Sequence, residues 1–209
     1  MTAMDMATAE RTALAEFLET LMPEQWHEPS LCTGWRVRDV VGHLISYDDL
    51  STPALVGWFV RGRLSIARIN AIGVAQAAFL TPDQLLERLR HHLTPARLAA
   101  GFNGGIGLVD GMIHQQDIRR ALSQPRTIPA DRLAFALDFA LRAPTLPARK
   151  LTRRLRLVAD DLDWASGTGP EVIGTGEALL MAAAGRRGVA HELSGPGRPE
   201  LDRRIDQLR

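Results

Sequence analysis

The sequence predicts an α+β protein in which a four-helix bundle over residues 1–125 precedes a small α/β domain over residues 126–209. Three observations favour this class. Apolar residues recur at helical spacing in several segments of the first 125 residues. The connections between these segments are mostly short, which is typical of antiparallel helices. After Pro125, short apolar and β-branched runs alternate with turn residues, which indicates strands mixed with helices.

Periodicity and helix-end signals define five helices in the first 125 residues, of which four are clear and suggest the bundle. They are predicted over about residues 8–22, 36–50, 54–75, 81–94 and 106–123. The segment at 54–75 is apolar but less regular, so the pattern leaves its ends undefined. The next helix has the clearest start, because Thr81 suits the N-cap and Pro82 the first helical position. Pro95 and Pro125 are expected to stop the last two helices.

The second domain opens with a helix from Pro129 to about residue 143. A short strand is predicted over residues 155–158, and Trp164 begins a returning strand after an aspartate-rich turn. A further turn precedes the apolar pair at 172–173. Thr175 then opens a helix that runs to about residue 185.

Composition and charge argue against several classes of function, among them nucleic-acid and membrane binding. Hydrophobic residues make up 45% of the 209 and charged residues 23%, as in ordinary globular proteins. The net charge of +1 gives no reason to expect nucleic acid or an anionic membrane as a partner. No segment looks like a membrane helix or a signal peptide. The single cysteine fits a reducing compartment. We therefore expect a cytoplasmic protein, either monomeric or homodimeric.

Two histidines on different predicted helices carry the functional prediction. His43 lies on the second helix, and His114 follows Asp110 by four residues on the last helix of the bundle. At that spacing Asp110 and His114 point to the same side, and with His43 they would form a two-histidine, one-carboxylate set. Such a set suits a divalent cation with an open coordination position. Each residue also has an interpretation without a metal. Asp110 and His114 could be a pair on the helix surface, and His43 could be a core histidine that bonds a backbone carbonyl.

Two further residues near these histidines have open roles. Asp117 follows His114 by three residues and could orient its second ring nitrogen. It could equally pair with Arg120. Cys32 has no nearby histidine or helix start in the sequence that would activate its thiol, so a structural role is expected for it.

Two stretches of the chain are also similar to motifs of a known family. Residues 31–44, LCTGWRVRDVVGHL, match the pattern C-x-G-W-x-V-x-D-V-x-x-H-L, and residues 110–122 match a helix with the pattern E-x-x-x-H-x-x-D. Smaller matches lie at residues 161–164, 169–172 and 184–186. On these residues the chain resembles the mycothiol-dependent maleylpyruvate isomerases, which are part of the DinB-like metalloenzyme group.

The resemblance implies a DinB-like helical bundle followed by a small α/β domain, with a divalent metal, most often zinc, held by His43, Asp110 and His114. One ligand departs from the pattern, because Asp110 replaces a glutamate and is one methylene shorter. Mycothiol would take the open metal position as a thiolate and attack a small electrophilic substrate, by isomerisation or S-transfer. Asp117 would orient a ligand, and Arg186 would bind a substrate carboxylate.

Two other functions stay open on the sequence alone. A metal-dependent hydrolase would use the open position to activate water instead of a thiol. A non-catalytic relative would bind a small ligand and no metal, an alternative that the change from glutamate to Asp110 keeps open.

Overall fold

The computed structural model describes residues 1–208. The chain forms two compact units, Met1–Arg126 and a second that begins at Thr127; the sequence-based boundary lay after residue 125. Helices occur in both units and a three-stranded sheet in the second. The predicted α+β class is therefore confirmed.

Six α-helices in the described chain build the first unit. Their bounds are α1 Ala3–Glu19, α2 Val37–Ile45, α3 Thr52–Arg61, α4 Ile66–Ala77, α5 Pro82–His91 and α6 Gly105–Ala121. A short 3-10 helix, Pro23–His27, follows α1. Helices α1, α2, α5 and α6 pack together as the bundle, whereas α4 packs on α2 and α3 on α4.

The single helix predicted over residues 54–75 is two helices in the structure. Arg63 and Leu64 separate α3 from α4, and their φ angles of 51° and 58° are left-handed, a conformation that a right-handed helix cannot continue through. The turn is tight, because a Cβ at Gly62 would lie 2.6 Å from Cγ1 of Ile69. No proline marks this break, which explains why the pattern gave one irregular helix.

Apolar faces of α1, α2, α5 and α6 form the core of the first unit. Its most buried members include Leu14, Leu18, Val40, Val41, Leu85, Leu89 and Ile118. Burying each such side chain contributes about 1.5–3 kcal/mol relative to leaving it exposed. The starts of α1 and α5 are fixed by Thr2 and Thr81, whose side chains accept hydrogen bonds from the backbone N–H three residues later. The core therefore sets the orientation of α2 and α6, which carry the predicted ligands.

Among the described residues, the second unit combines four α-helices and a short 3-10 helix, Ala190–Glu192, with the sheet. The helices are α7 Ala130–Arg142, α8 Ala148–Leu151, α9 Gly176–Ala183 and α10 Arg198–Asp206, and the strands are β1 Arg156–Ala159, β2 Ala165–Gly167 and β3 Glu171–Gly174. Strand β1 is central, antiparallel to β2 and parallel to β3. The sequence predicted strands at β1 and near β2, and the helices α7 and α9. It described residues 172–173 of β3 only as an apolar pair, and it assigned neither α8 nor α10.

Within the described residues, no helix combines the length and the apolar character needed to cross a membrane.

Candidate metal centre

Helix α2 holds His43 in a fixed position because the helix is buried on nearly every side. Val40 and Val41 are fully buried, and the side chain of His43 is only 3% exposed. The helix also approaches α4 closely, because a Cβ at Gly42 would lie 2.7 Å from the Cβ of Ala77. Only glycine fits there without displacing a helix, so the residue next to His43 fixes the position of α2.

The three residues predicted as metal ligands lie together. Oδ1 of Asp110 is 3.6 Å from Nε2 of His43 and 3.5 Å from Nε2 of His114, and the two imidazole rings stand edge to face with centroids 4.8 Å apart. Ligand atoms around a tetrahedral zinc ion lie about 3.3–3.5 Å from one another, given bonds of about 2.0–2.2 Å. The shorter aspartate therefore still brings its oxygen within range of both nitrogens, and the set fits a divalent cation.

Exposure shows which side of this set is accessible. The side chain of Asp110 is 38% exposed, whereas those of His43 and His114 are 3% and 11% exposed. Among the described residues, the ion-pair partners of Asp110 are these two histidines and no arginine or lysine. A cation bound here would be enclosed on the histidine side and open on the carboxylate side.

Aromatic side chains surround the two imidazoles. The ring of Trp35 lies 5.2 Å from that of His43 and 6.2 Å from that of His114. Tyr47 packs edge-on against His43 at 5.8 Å, and its hydroxyl donates a hydrogen bond of 2.5 Å to Oδ1 of Asn70. The sequence-based analysis missed Tyr47 and Asn70. The position of Tyr47, four residues after His43, is the one sequence signal that could have indicated it.

Asp117 and Cys32 contact the other nitrogen of His114. Oδ2 of Asp117 lies 2.9 Å from Nδ1 of His114, and Sγ of Cys32 lies 3.0 Å from the same oxygen and 3.5 Å from the same nitrogen. The expectation that Cys32 lacks a nearby histidine is therefore wrong. The backbone holds this contact, because Leu31 N–H donates to the carbonyl of Asp117 and Cys32 N–H donates to Oγ of Ser30.

The charges of the centre keep one another ionised. Burial would lower the pKa of His114, but the charge of Asp110 and the hydrogen bonds to Asp117 and Cys32 outweigh burial and raise this pKa to about 10. Burial would raise the pKa of Asp110, but the charges of His43 and His114 outweigh it and hold this pKa well below its usual range. Without a bound cation, a proton on His114 therefore balances the charge of Asp110.

Arg186 lies in the second unit, three residues after the end of α9. Its side chain is half-buried, and Nη1 donates a hydrogen bond of 3.2 Å to the carbonyl of Ala184. The contact with a substrate carboxylate that the resemblance implies stays a prediction.

Comparison with known proteins bears on the family. Residues 7–102 match the mycothiol maleylpyruvate isomerase N-terminal domain. The resemblance inferred from the sequence is confirmed. The matched segment contains Cys32 and His43 and ends before Asp110 and His114. No curated protein matches the chain significantly.

Two solved structures share the fold. One is the crystal structure of the mycothiol-dependent maleylpyruvate isomerase, with 15% sequence identity, a TM-score of 0.54 and coverage of 93% of this chain and 91% of that one. The other is a histidine-to-alanine variant described under the same enzyme name, with 14% identity, a TM-score of 0.53 and the same coverage. The predicted order of a bundle followed by an α/β region therefore agrees with known structures along nearly the whole chain.

Proposed function

We propose that the protein is an enzyme that uses a low-molecular-weight thiol, mycothiol, on a small electrophilic substrate, with a divalent cation at His43, Asp110 and His114. The observation that carries this proposal is the convergence of three ligand atoms from α2 and α6 on one point that is open on the Asp110 side. The match to the mycothiol maleylpyruvate isomerase N-terminal domain supports the choice of thiol. Zinc is the first candidate, because two imidazoles and a carboxylate with an open position are typical of catalytic zinc sites.

The protein side chains prepare this site through their proton positions. Asp117 accepts a hydrogen bond from Nδ1–H of His114, which leaves the lone pair of Nε2 facing Asp110 and His43. Carboxylate–histidine pairs of this kind fix the tautomer and the ring orientation of a ligand. A divalent cation bound there would keep a coordinating thiol in its thiolate form near neutral pH.

The side chains around the imidazoles shape where a substrate would react. Trp35 covers both imidazoles and so limits the access of water to them. Burial and then the charge of Asp110 raise the pKa of Tyr47, so its phenol stays protonated and keeps its hydrogen bond to Asn70. The thiolate sulfur would form a bond to an electrophilic carbon of the substrate. As this bond forms, the electron pair of the substrate double bond moves to the conjugated oxygen. After rotation, return of the pair expels the sulfur and gives an isomer, whereas uptake of a proton from solvent at the adjacent carbon gives a conjugate.

Turnover with and without thiol tests the proposed function. Zinc-loaded protein is assayed with maleylpyruvate and with other small electrophiles, in the presence and absence of mycothiol. We expect turnover that requires mycothiol, is lost in His43→Ala and is kept in His91→Ala, which removes an exposed histidine of the same unit. Turnover that ignores the thiol would instead indicate a hydrolase. Absence of both turnover and thiol binding would indicate a non-catalytic binding protein.

Asp110 has its own test, since it departs from the family pattern. Asp110→Glu restores the longer carboxylate and should keep the metal, whereas Asp110→Asn should weaken metal binding. Equal affinity in Asp110→Asn and the wild type would remove Asp110 from the ligand set.

Arg186→Met tests the predicted contact with a substrate carboxylate. We expect a raised KM for an anionic substrate and little change in KM for an uncharged one.

A further inference from the structure

His114 presents its two ring nitrogens to two different groups of ligand atoms. Nε2 faces Asp110 and His43, whereas Nδ1 faces Asp117 and Cys32. On the second side the three ligand atoms are separated by 2.9, 3.0 and 3.5 Å, so all lie within 4.8 Å of one another. Two of these separations are hydrogen bonds, and a cation that replaces their protons would move the atoms slightly apart. The second group differs chemically from the first because it contains a thiol.

We propose that Cys32, Asp117 and Nδ1 of His114 form a second cation site, which takes thiophilic ions such as Cd²⁺. Thiolate ligands select soft cations, whereas carboxylate and imidazole alone suit harder ones. On binding, the thiol of Cys32 and Nδ1–H of His114 each lose a proton to solvent. The sulfur and the nitrogen then coordinate the ion, so the step involves no change of oxidation state. Asp117 is fully buried, while Cys32 is only partly buried, which gives an ion a route in from the cysteine side.

The two sites compete for His114. A neutral imidazole has a lone pair on one nitrogen only. Binding at the first site needs the proton on Nδ1, where Asp117 accepts it, and binding at the second site needs it on Nε2, which lies 3.5 Å from Oδ1 of Asp110. A soft cation on Cys32 therefore withdraws His114 from the first site. The second site is thus a means by which thiophilic metals displace the first metal, and its existence does not depend on the proposed thiol chemistry.

Cysteine is present once in the chain, so an optical signal from thiolate coordination reports on Cys32 alone. Metal-free protein is titrated with Cd²⁺, and the ultraviolet thiolate-to-cadmium charge-transfer band is recorded. We expect the band in the wild type and in His43→Ala, which disables the first site only. We expect no band in Cys32→Ser, which should still bind zinc at the first site. Asp117→Asn should keep the band but weaken cadmium binding. We expect a loss of affinity of roughly 10–100-fold or more, because losing a group that only hydrogen-bonds a metal ligand already costs that much.

A second measurement needs no change at Cys32. The rate at which a disulfide reagent modifies the thiol is followed with Cd²⁺ and with Mg²⁺. We expect Cd²⁺ to protect the thiol in both the wild type and His43→Ala, and Mg²⁺ to protect it in neither. Cadmium binding without the band or protection would overturn the proposal, since Cys32, His114 and Asp117 would then form a hydrogen-bonded cluster only. Loss of the band in His43→Ala would also overturn it, because Cys32 would then belong to the first site.

Discussion

Two clusters of buried charge in the first unit are built in opposite ways. In one, Nη1 of Arg11 donates hydrogen bonds to Oδ2 of Asp48 at 2.9 Å and to the carbonyl of His92 at 2.6 Å, and Oδ1 of Asp48 accepts one from Ala96 N–H at 3.0 Å. This cluster contains its own permanent cation. In the candidate metal centre, the ion-pair partners of Asp110 are histidines that can lose their protons, whereas Arg11 acts on Asp110 only from beyond ion-pair distance.

The difference separates a cluster that holds the fold from one that can bind a cation. Arg11 stays charged at every pH at which the protein is folded. Burial raises the pKa of Asp48 in spite of this guanidinium, so the pairing weakens only as the pH falls. His114 can exchange its proton for a metal ion at little structural cost, since its Nδ1 remains bonded to Asp117. We therefore expect substitutions in the first cluster to change folding stability and substitutions in the second to change cation binding.

The largest stability effect is expected at Asp48. Asp48→Ala leaves the guanidinium of Arg11 buried without its carboxylate, which typically costs about 3–5 kcal/mol. Asp110→Asn in metal-free protein should cost clearly less, because the side chain of Asp110 is 38% exposed. Urea unfolding of both variants beside the wild type measures the difference in the free energy of unfolding. Equal losses would mean that the two clusters do not differ in the way described.

A smaller effect is expected at Gly42, which lies next to His43. Gly42→Ala places a Cβ 2.7 Å from the Cβ of Ala77, and overpacking of this kind costs about 1–3 kcal/mol. Gly57→Ala is the matched control on α3, because nothing lies within 4 Å of its Cβ; it should stabilise by roughly 0.5–1 kcal/mol. Thermal unfolding reports stability, and zinc titration reports whether the shift of α2 also weakens binding. An unchanged zinc affinity in Gly42→Ala would show that α2 can move without moving His43.

The zinc affinity of the candidate metal centre should depend on pH. Because the pKa of His114 is about 10, zinc must displace a proton from it at neutral pH. We expect zinc affinity to rise by about tenfold per pH unit, without levelling off above pH 6.5 as it would for an ordinary histidine. Calorimetry at several pH values measures this slope. A wild-type affinity that is flat above neutral pH would contradict the raised pKa of His114.

Asp117→Asn replaces the carboxylate whose hydrogen bond raises the pKa of His114. The zinc affinity of this variant should therefore level off at a lower pH than that of the wild type.

The same raised pKa affects the stability of the metal-free protein with a defined sign. The charged form of His114 is favoured in the folded state, so its contribution to stability is fully present below the unfolded pKa of 6.5 and is lost as the pH rises through about 10. Replacing His114 by glutamine should remove this loss, which urea unfolding at several pH values can measure.

Local periodicity accounts for what the sequence could predict. Helices α1, α2, α5 and α6 follow from apolar spacing and end signals, and the i, i+4 spacing alone places Asp110 beside His114. His43 was placed with this pair as a histidine on another predicted helix, and the family resemblance of the motif around it supported that hypothesis. The strands β1 and β2 followed from alternating apolar and turn residues, whereas β3 was marked only by the apolar pair at 172–173.

Contacts between distant parts of the chain account for what was missed. Cys32 is 82 residues from His114 and 85 from Asp117, so no spacing rule connects them. The break between α3 and α4 depends on two left-handed residues without proline. Helix α10 is short and rich in charge, so its apolar period is weak, although it buries Leu201 and Ile205.

Zinc content, measured together with zinc affinity, tests the candidate metal centre most directly. Wild-type protein, His43→Ala, His114→Ala and the surface control His91→Ala are purified without chelator and compared by elemental analysis and calorimetry. We expect about one zinc ion per chain in the wild type and in His91→Ala, and a loss of most of it in the two site variants. Equal zinc in all four proteins, or none in the wild type after zinc supplementation, would contradict a metal centre at His43, Asp110 and His114.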